Sequence, residues 1–335
     1  MASTSTTDAL GSGSRVELGY WLSSEEHPAD ALVDHALAAE DAGFRTATVS
    51  DHFAPWLPTQ AHSPYVWATL GAIASQTSTL RVGTGVTVAL HRTHPVTVAQ
   101  AAATVETMMP GRFFLGLGTG ERLNERVTSA RWPTAPERRD ALREAIDIIR
   151  DLWAGKTVSR NGGRFEVEGA ELFTRPDTPP PIVVAASGKK SATLAGELGD
   201  GMIGLAPEPD VVNAFESAGG KEKPRLAQLH LCWAPTEVEA RRVAHRWWPI
   251  AGLPSRLLTE LARPDDFVAA AQLVSEDDVA EKISCGPDPE IHAREISLLV
   301  AAGFNGIYLH QIGPDQNRFL DFCQQELLPR VRSSE

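Results

Sequence analysis

Phe113-Phe114-Leu115-Gly116-Leu117-Gly118-Thr119-Gly120-Glu121 is the stretch that decides the fold. A short apolar run of strand type turns into a glycine-rich loop, and an amphipathic segment at 138–153 follows. Two α/β architectures use such a unit. A doubly wound sheet that holds a dinucleotide carries Gly-x-Gly-x-x-Gly at its first strand-to-helix turn. Here the sixth-position glycine is replaced by Glu121, and the turn comes at the fourth strand. Outward from it the same unit recurs, with strand candidates at 16–20, 46–50, 80–88, 113–118, 182–186, 201–205, 226–233 and 306–311. Helix candidates at 29–42, 96–108, 190–198, 235–248 and 291–302 alternate with them. The predicted class is α/β, a (β/α)8 TIM barrel with insertions after strands 4 and 7.

The insertions are expected at about 157–180, where Asn161-Gly162-Gly163 signals a small hairpin, and at about 251–287, broken by Pro254 and Pro264. Residues 1–14, mostly Ser, Thr, Gly and Ala, read as a disordered tail, and 15–332 as a single barrel domain. The 335 residues carry 31 basic against 43 acidic side chains, a net charge of −12 with no basic run, which argues against nucleic acid and anionic membrane as partners. Mean hydropathy is −0.17, and no apolar run approaches the roughly 18–20 residues needed to span a bilayer. Cys232, Cys285 and Cys323 are odd in number and far apart, which speaks against a disulfide framework and for a reducing cytoplasm.

A barrel of this kind does its chemistry where the strands end. There the sequence places Ser23-Ser24-Glu25, Asp51-His52 with Pro55-Trp56, Gly83-Thr84-Gly85-Val86, Gly118-Thr119-Gly120-Glu121 with Asn124, Ser187-Gly188-Lys189-Lys190 and His310-Gln311. Asp51-His52 reads as an acid/base pair, or alternatively as a helix N-cap beside a structural histidine. Glu121, after three glycines in five residues, is a carboxylate held over a close backbone approach, or alternatively a first-turn Glu favoured by the helix dipole. Ser187-Gly188-Lys189 opening a helix is a candidate anion cradle. His91 and His94, three apart in a loop with no third ligand nearby, give no metal site. Trp247-Trp248 and Trp233 read as core or lid packing, whereas Trp56 beside His52 can wall off water.

These residues carry a resemblance. Leu18-Gly19-Tyr20, Ser50-Asp51-His52-Phe53 with Pro55-Trp56, 95–103, Gly116-Leu117-Gly118-Thr119-Gly120-Glu121 with Leu123-Asn124, Gly199-Asp200-Gly201 and Phe319-Leu320 are similar to the luciferase-like family of flavin and deazaflavin oxidoreductases. Within it the chain resembles the branch of glucose-6-phosphate dehydrogenases that use coenzyme F420, over about 17–330. The resemblance implies a homodimeric barrel that binds F420 across the strand ends and transfers hydride from a hydroxyl-bearing carbon. It implies His52 as the base, Glu121 as the group serving the proton balance at the ring, and Trp56 and Glu25 as further site residues. Asp51, Gly85, Val86, Thr119, Gly120, Asn124, Ser187, Gly188 and Lys189 would bind the cofactor, with a strained non-proline peptide bond at Gly85-Val86.

The implied substrate is a small polar molecule, with a sugar phosphate, glucose 6-phosphate, as the first candidate. The branch's phosphate-gripping cations are replaced here, however: the loop Ala206-Pro207-Glu208-Pro209 holds none, and only Arg256 and Lys282 stand near the other two positions. Two alternatives remain on the residues alone, an FMN-dependent monooxygenase and a deazaflavin carrier without turnover.

Overall fold

Near-continuous apolar runs that are buried on both faces mark strands of a parallel barrel, and the chain supplies eight that close on themselves. In this computed structural model, which describes residues 16–333, they are β1 (Glu17–Leu22), β2 (Thr46–Val49), β3 (Arg81–Thr84), β4 (Phe113–Leu117), β5 (Ile182–Ala185), β6 (Gly201–Gly204), β7 (Arg225–Cys232) and β8 (Gly306–Gln311). Each pairs in parallel with the next, and β8 returns to β1 from Gly306 opposite Glu17 to Leu309 opposite Tyr20. The expected tail at 1–14 lies outside the described residues.

Alternate residues of each strand face inward. Trp21, Phe114, Val183, Ile203, Leu226 and Tyr308 fill the barrel interior, while the outward positions pack on the helices. Two large rings enter because glycines leave room for them. A Cβ on Gly83 would collide with the Phe114 ring, and one on Gly19 with Tyr308.

The helices are α1 (Ala29–Asp41), α2 (Val66–Gln76), α3 (Pro95–Met108), α4 (Ala135–Trp153), α5 (Lys189–Leu198), α6 (Pro209–Phe215), α7 (Glu237–Trp247), α8 (Pro289–Ala301) and α9 (Gln316–Phe322). Several start earlier than their apolar period because proline occupies the first turn, as at Pro95 and Pro289, where its missing N–H costs nothing. His94 caps α3 by accepting from the Val96 amide, a structural role for a residue whose type alone suggests a ligand. The strand expected over 80–88 is shorter: the ladder ends at Thr84, the Gly85–Val86 peptide is cis, and pairing resumes only as a bridge between Thr87 and Leu117.

Both insertions are present. Between α4 and β5, Val158–Arg160 pairs antiparallel with Val167–Ala170. After α7, helices Ser255–Glu260, Pro264–Ala271 and Glu276–Ala280 form a cap, and Ser284–Cys285 then adds a short parallel strand beside Leu231 and Cys232 of β7, which the sequence pattern did not announce. The cap has its own apolar centre of Phe267, Val274, Val279, Ile283 and Trp248. That centre extends to Leu57 of the β2 loop and Leu123 of the β4 loop, so the cap is seated on the strand-end face of the barrel. Among the described residues no helix is long and apolar enough to cross a membrane.

Candidate active site

Glu25 is the centre of the strand-end cluster. It is buried in the loop after β1, where an isolated carboxylate would be costly. Its Oε2 is satisfied by three hydroxyls, those of Ser23 (3.2 Å), Ser24 (3.5 Å) and Ser50. Its Oε1 is left for His52, whose Nε2 lies 3.3 Å away. Burial acts to raise the Glu25 pKa, but the His52 imidazole and the Ser50 hydroxyl outweigh it and hold the group below its ordinary value. The other ring nitrogen of His52, Nδ1, is 3.3 Å from the Ala54 carbonyl oxygen. The ring is thus oriented between a carboxylate oxygen and a carbonyl oxygen.

The loop carrying His52 is fixed from three sides. Asp51, buried, accepts from Thr87 Oγ1 and from Arg92 Nη2, both at 2.8 Å, so its side chain ties β2 to the segment after β3. Asn124 Oδ1 accepts from the amides of Phe53 (2.7 Å) and Ala54 (3.0 Å), while its Nδ2 donates to Glu121. Glu125, whose pKa burial raises, takes the amides of His91 (2.8 Å) and Arg92 (3.0 Å). Trp56 lies against His52 with ring centroids 5.1 Å apart, and the fully buried Phe267 of the cap meets it edge-on at 5.2 Å. The 251–287 insertion thus roofs the catalytic candidates.

A second group stands beside this cluster, at the ends of β8 and β1. Glu26 Oε2 is 2.8 Å from His310 Nε2, and Glu26 Oε1 accepts from the Gly313 amide at 2.9 Å. His310 Nδ1 is 3.2 Å from Gln228 Nε2, and Trp248 packs edge-on to the ring at 4.7 Å. Sequence reading placed His310 at a strand end but missed Glu26, Gln228 and Arg92. Glu26 and His310 are 284 positions apart, so no local pattern announces their pairing.

The remaining candidates are distributed around the rim. Gly85 and Val86 are half-buried, and Val86 packs so closely over the β4 edge that a Cβ on Gly118 would stand 2.6 Å from it. Thr119 and Gly120 are half-buried beside them, with Gly120 at φ +76°. Ser187 and Lys189 are exposed at the start of α5, where Gly188 is the N-cap with open space over its Cα. Lys189 pairs with Asp210 at 2.8 Å, but both are largely exposed, so the pair is weak. Arg256 is exposed on Ser255–Glu260, which packs against the Arg122–Glu125 turn, and Lys282 is exposed beyond the last cap helix. Neither side chain makes a hydrogen bond or ion pair among the described residues, so the structure does not join them to the His52 cluster. Among those residues no group of three or more His, Cys, Asp and Glu could hold a metal ion.

The luciferase-like monooxygenase family model matches residues 10–306. An F420-dependent hydroxymycolic acid dehydrogenase of Mycobacterium tuberculosis is 38% identical over 323 residues, covering 94% of this chain and 88% of that protein. An F420-dependent glucose-6-phosphate dehydrogenase of Microbacterium testaceum is 34% identical over 329 residues, with 95% and 98% covered. Among solved structures, an F420-dependent secondary alcohol dehydrogenase in complex with an F420-acetone adduct superposes with a TM-score of 0.88 at 31% identity, covering 95% of this chain and 99% of that one.

Proposed function

We infer the function from one premise: the chain belongs to the luciferase-like monooxygenase family. Within it the protein is an F420-dependent oxidoreductase of the dehydrogenase kind, like the relatives it matches over nearly their whole length. The residues present suit that cofactor. The half-buried rim of Gly85, Val86, Thr119 and Gly120, low in side-chain bulk, suits a flat ring, and the open Gly188 N-cap of a ten-residue helix, flanked by exposed Lys189 and Lys190, suits a phosphate and acidic tail. Asp51, Gly85, Val86, Thr119, Gly120 and Asn124 would hold the ring end, and Ser187, Gly188 and Lys189 the tail. When bound, F420 supplies a two-electron hydride acceptor.

The protein's own part is proton handling and exclusion of water. His52 takes the proton of the substrate hydroxyl, and Glu25, kept ionised by its serines, stabilises the imidazolium. Glu121, hydrogen-bonded by Asn124, would supply to the reduced cofactor a proton that balances the one His52 takes from the substrate. Trp56, backed by Phe267, keeps water away from the reacting carbon. The observation that carries this reading is the 3.3 Å contact between His52 and a buried carboxylate at the barrel mouth.

For the substrate, we favour an uncharged alcohol or ketone over a phosphate monoester. The β6 loop is without a cation, and the mouth already holds Glu25, Glu26 and Glu121. Glucose 6-phosphate remains a second reading, supported by the 34% identical relative and by unpaired Arg256 on the rim. The test is F420 reduction by propan-2-ol, butane-2,3-diol, glucose and glucose 6-phosphate, with wild type and His52→Ala. Wild type should reduce F420 with an uncharged alcohol, and His52→Ala should lose roughly 10²–10⁴-fold in kcat while F420 affinity stays within about threefold. Full activity in His52→Ala would remove the assignment. A homodimer in the cytoplasm belongs to the same reading; the three free, buried cysteines suit a reducing compartment, and light scattering at twice the 36.1 kDa chain mass tests the dimer.

A further inference from the structure

Residues 226, 228 and 230 of β7 share one face, and Leu226 places that face inside the barrel. Gln228 and His230 therefore point inward above it, next to His310 of β8. Glu26, Gln228 and His310 are joined side chain to side chain, and the His230 ring stands beside them. His310 places its Nε2 2.8 Å from a Glu26 carboxylate oxygen and its Nδ1 3.2 Å from Gln228 Nε2, so both of its ring nitrogens are engaged. The His230 ring stands 5.0 Å from the His310 ring and 5.5 Å from Trp248, the residue is half-buried, and its side chain has no hydrogen bond or ion pair among the described residues. Burial first and His310 second hold its pKa well below the usual histidine value, so at neutral pH it offers one donor and one acceptor and no charge.

Glu25 and Glu26 are consecutive, and one binds His52 while the other binds His310. The short β1 loop thus contacts His52 at the end of β2 through Glu25, and through Glu26 and His310 it reaches the unpaired imidazole on β7. Trp248 and the His310 ring pack against His230, and Trp21 packs on His310 in turn, so a polar group reaching His230 would be partly shielded from water.

We propose that His230 forms a second polar subsite, which hydrogen-bonds an uncharged hydroxyl or carbonyl of the substrate other than the one being oxidised, with Glu26, His310 and Gln228 as its positioning residues. The inference rests on the dehydrogenase reading above. A phosphate is not the group it takes, because a neutral ring backed by a carboxylate offers an anion no compensation.

The test compares butane-2,3-diol with propan-2-ol as F420 reductants. In His230→Leu the ratio of kcat/KM for the diol to that for the mono-alcohol should fall at least tenfold, chiefly through KM, and His230→Asn, which keeps a donor and an acceptor, should recover part of it. A ratio that moves less than twofold, or equal losses in the Leu and Asn variants, would overturn the proposal. A second measurement is independent of turnover: in ring-¹⁵N-histidine spectra of the full chain with F420, butane-2,3-diol should shift the His230 nitrogens and propan-2-ol should not. No His230 shift with the diol overturns the subsite. A shift without F420 reduction would support the subsite while removing the dehydrogenase reading.

Discussion

Glu25 divides its two oxygens between different tasks, three hydroxyl donors on one and one imidazole on the other. Replacing it by Gln keeps the shape but removes the charge that stabilises a protonated His52. Glu25→Gln should therefore lose about 10²-fold in kcat, with F420 binding little changed; steady-state kinetics beside a fluorescence titration of F420 checks this, and an unchanged kcat would show that the carboxylate is only structural. The placing of His52, Glu25, Trp56, Glu121 and Asn124 in the loops after β1, β2 and β4 was legible from the sequence because each loop follows an apolar run, while the roles proposed for them rest on the family resemblance. Their neighbours His230, Gln228 and Glu26 were not legible. They act through partners brought together by barrel closure, and Gln228 and His230 sit inside a run that reads only as a strand.

At the scale of elements, the site is a set of loops tied to one another. Asn124 satisfies two amides of the His52 loop and reaches Glu121, so one side chain joins the ends of β2 and β4. In Asn124→Ala those partly buried amides lose their acceptor, a cost of about 1 kcal/mol. A lower Tm should accompany a loss of at least tenfold in kcat/KM, whereas unaltered kinetics would mean that the loop is held elsewhere. The eight strands could be read from their apolar runs, but α2 could not: Val66, Trp67, Leu70 and Ile73 are buried and little on its other face is charged, so its period is faint. The two-residue strand Ser284–Cys285 is too short to carry any period, and its place is set by packing against β7.

For the whole molecule, pH acts through buried neutral histidines as well as through the site. His27 is buried against His35, its Nε2 has no partner, and burial above all lowers its pKa to about 3. Its folded pKa is below the unfolded value, so its contribution to stability is complete above about pH 6.5 and is lost as the pH falls toward 3. Between pH 7 and pH 5 that loss is about 2 kcal/mol. Denaturant titrations should show it in wild type and show it diminished in His27→Phe; equal pH sensitivity in the two proteins would contradict the assignment. The net charge of −12 and the closed parallel barrel were both available from the sequence, and the charge bears on partners rather than on fold. The most direct test of the account is a parallel fluorescence titration of the protein with F420 and FMN, followed by addition of butane-2,3-diol and glucose 6-phosphate to the F420 complex while the oxidised-cofactor absorbance is followed. The account expects F420 to bind in preference to FMN and the diol to bleach it. Preference for FMN, with oxygen uptake by the reduced flavin, would contradict it.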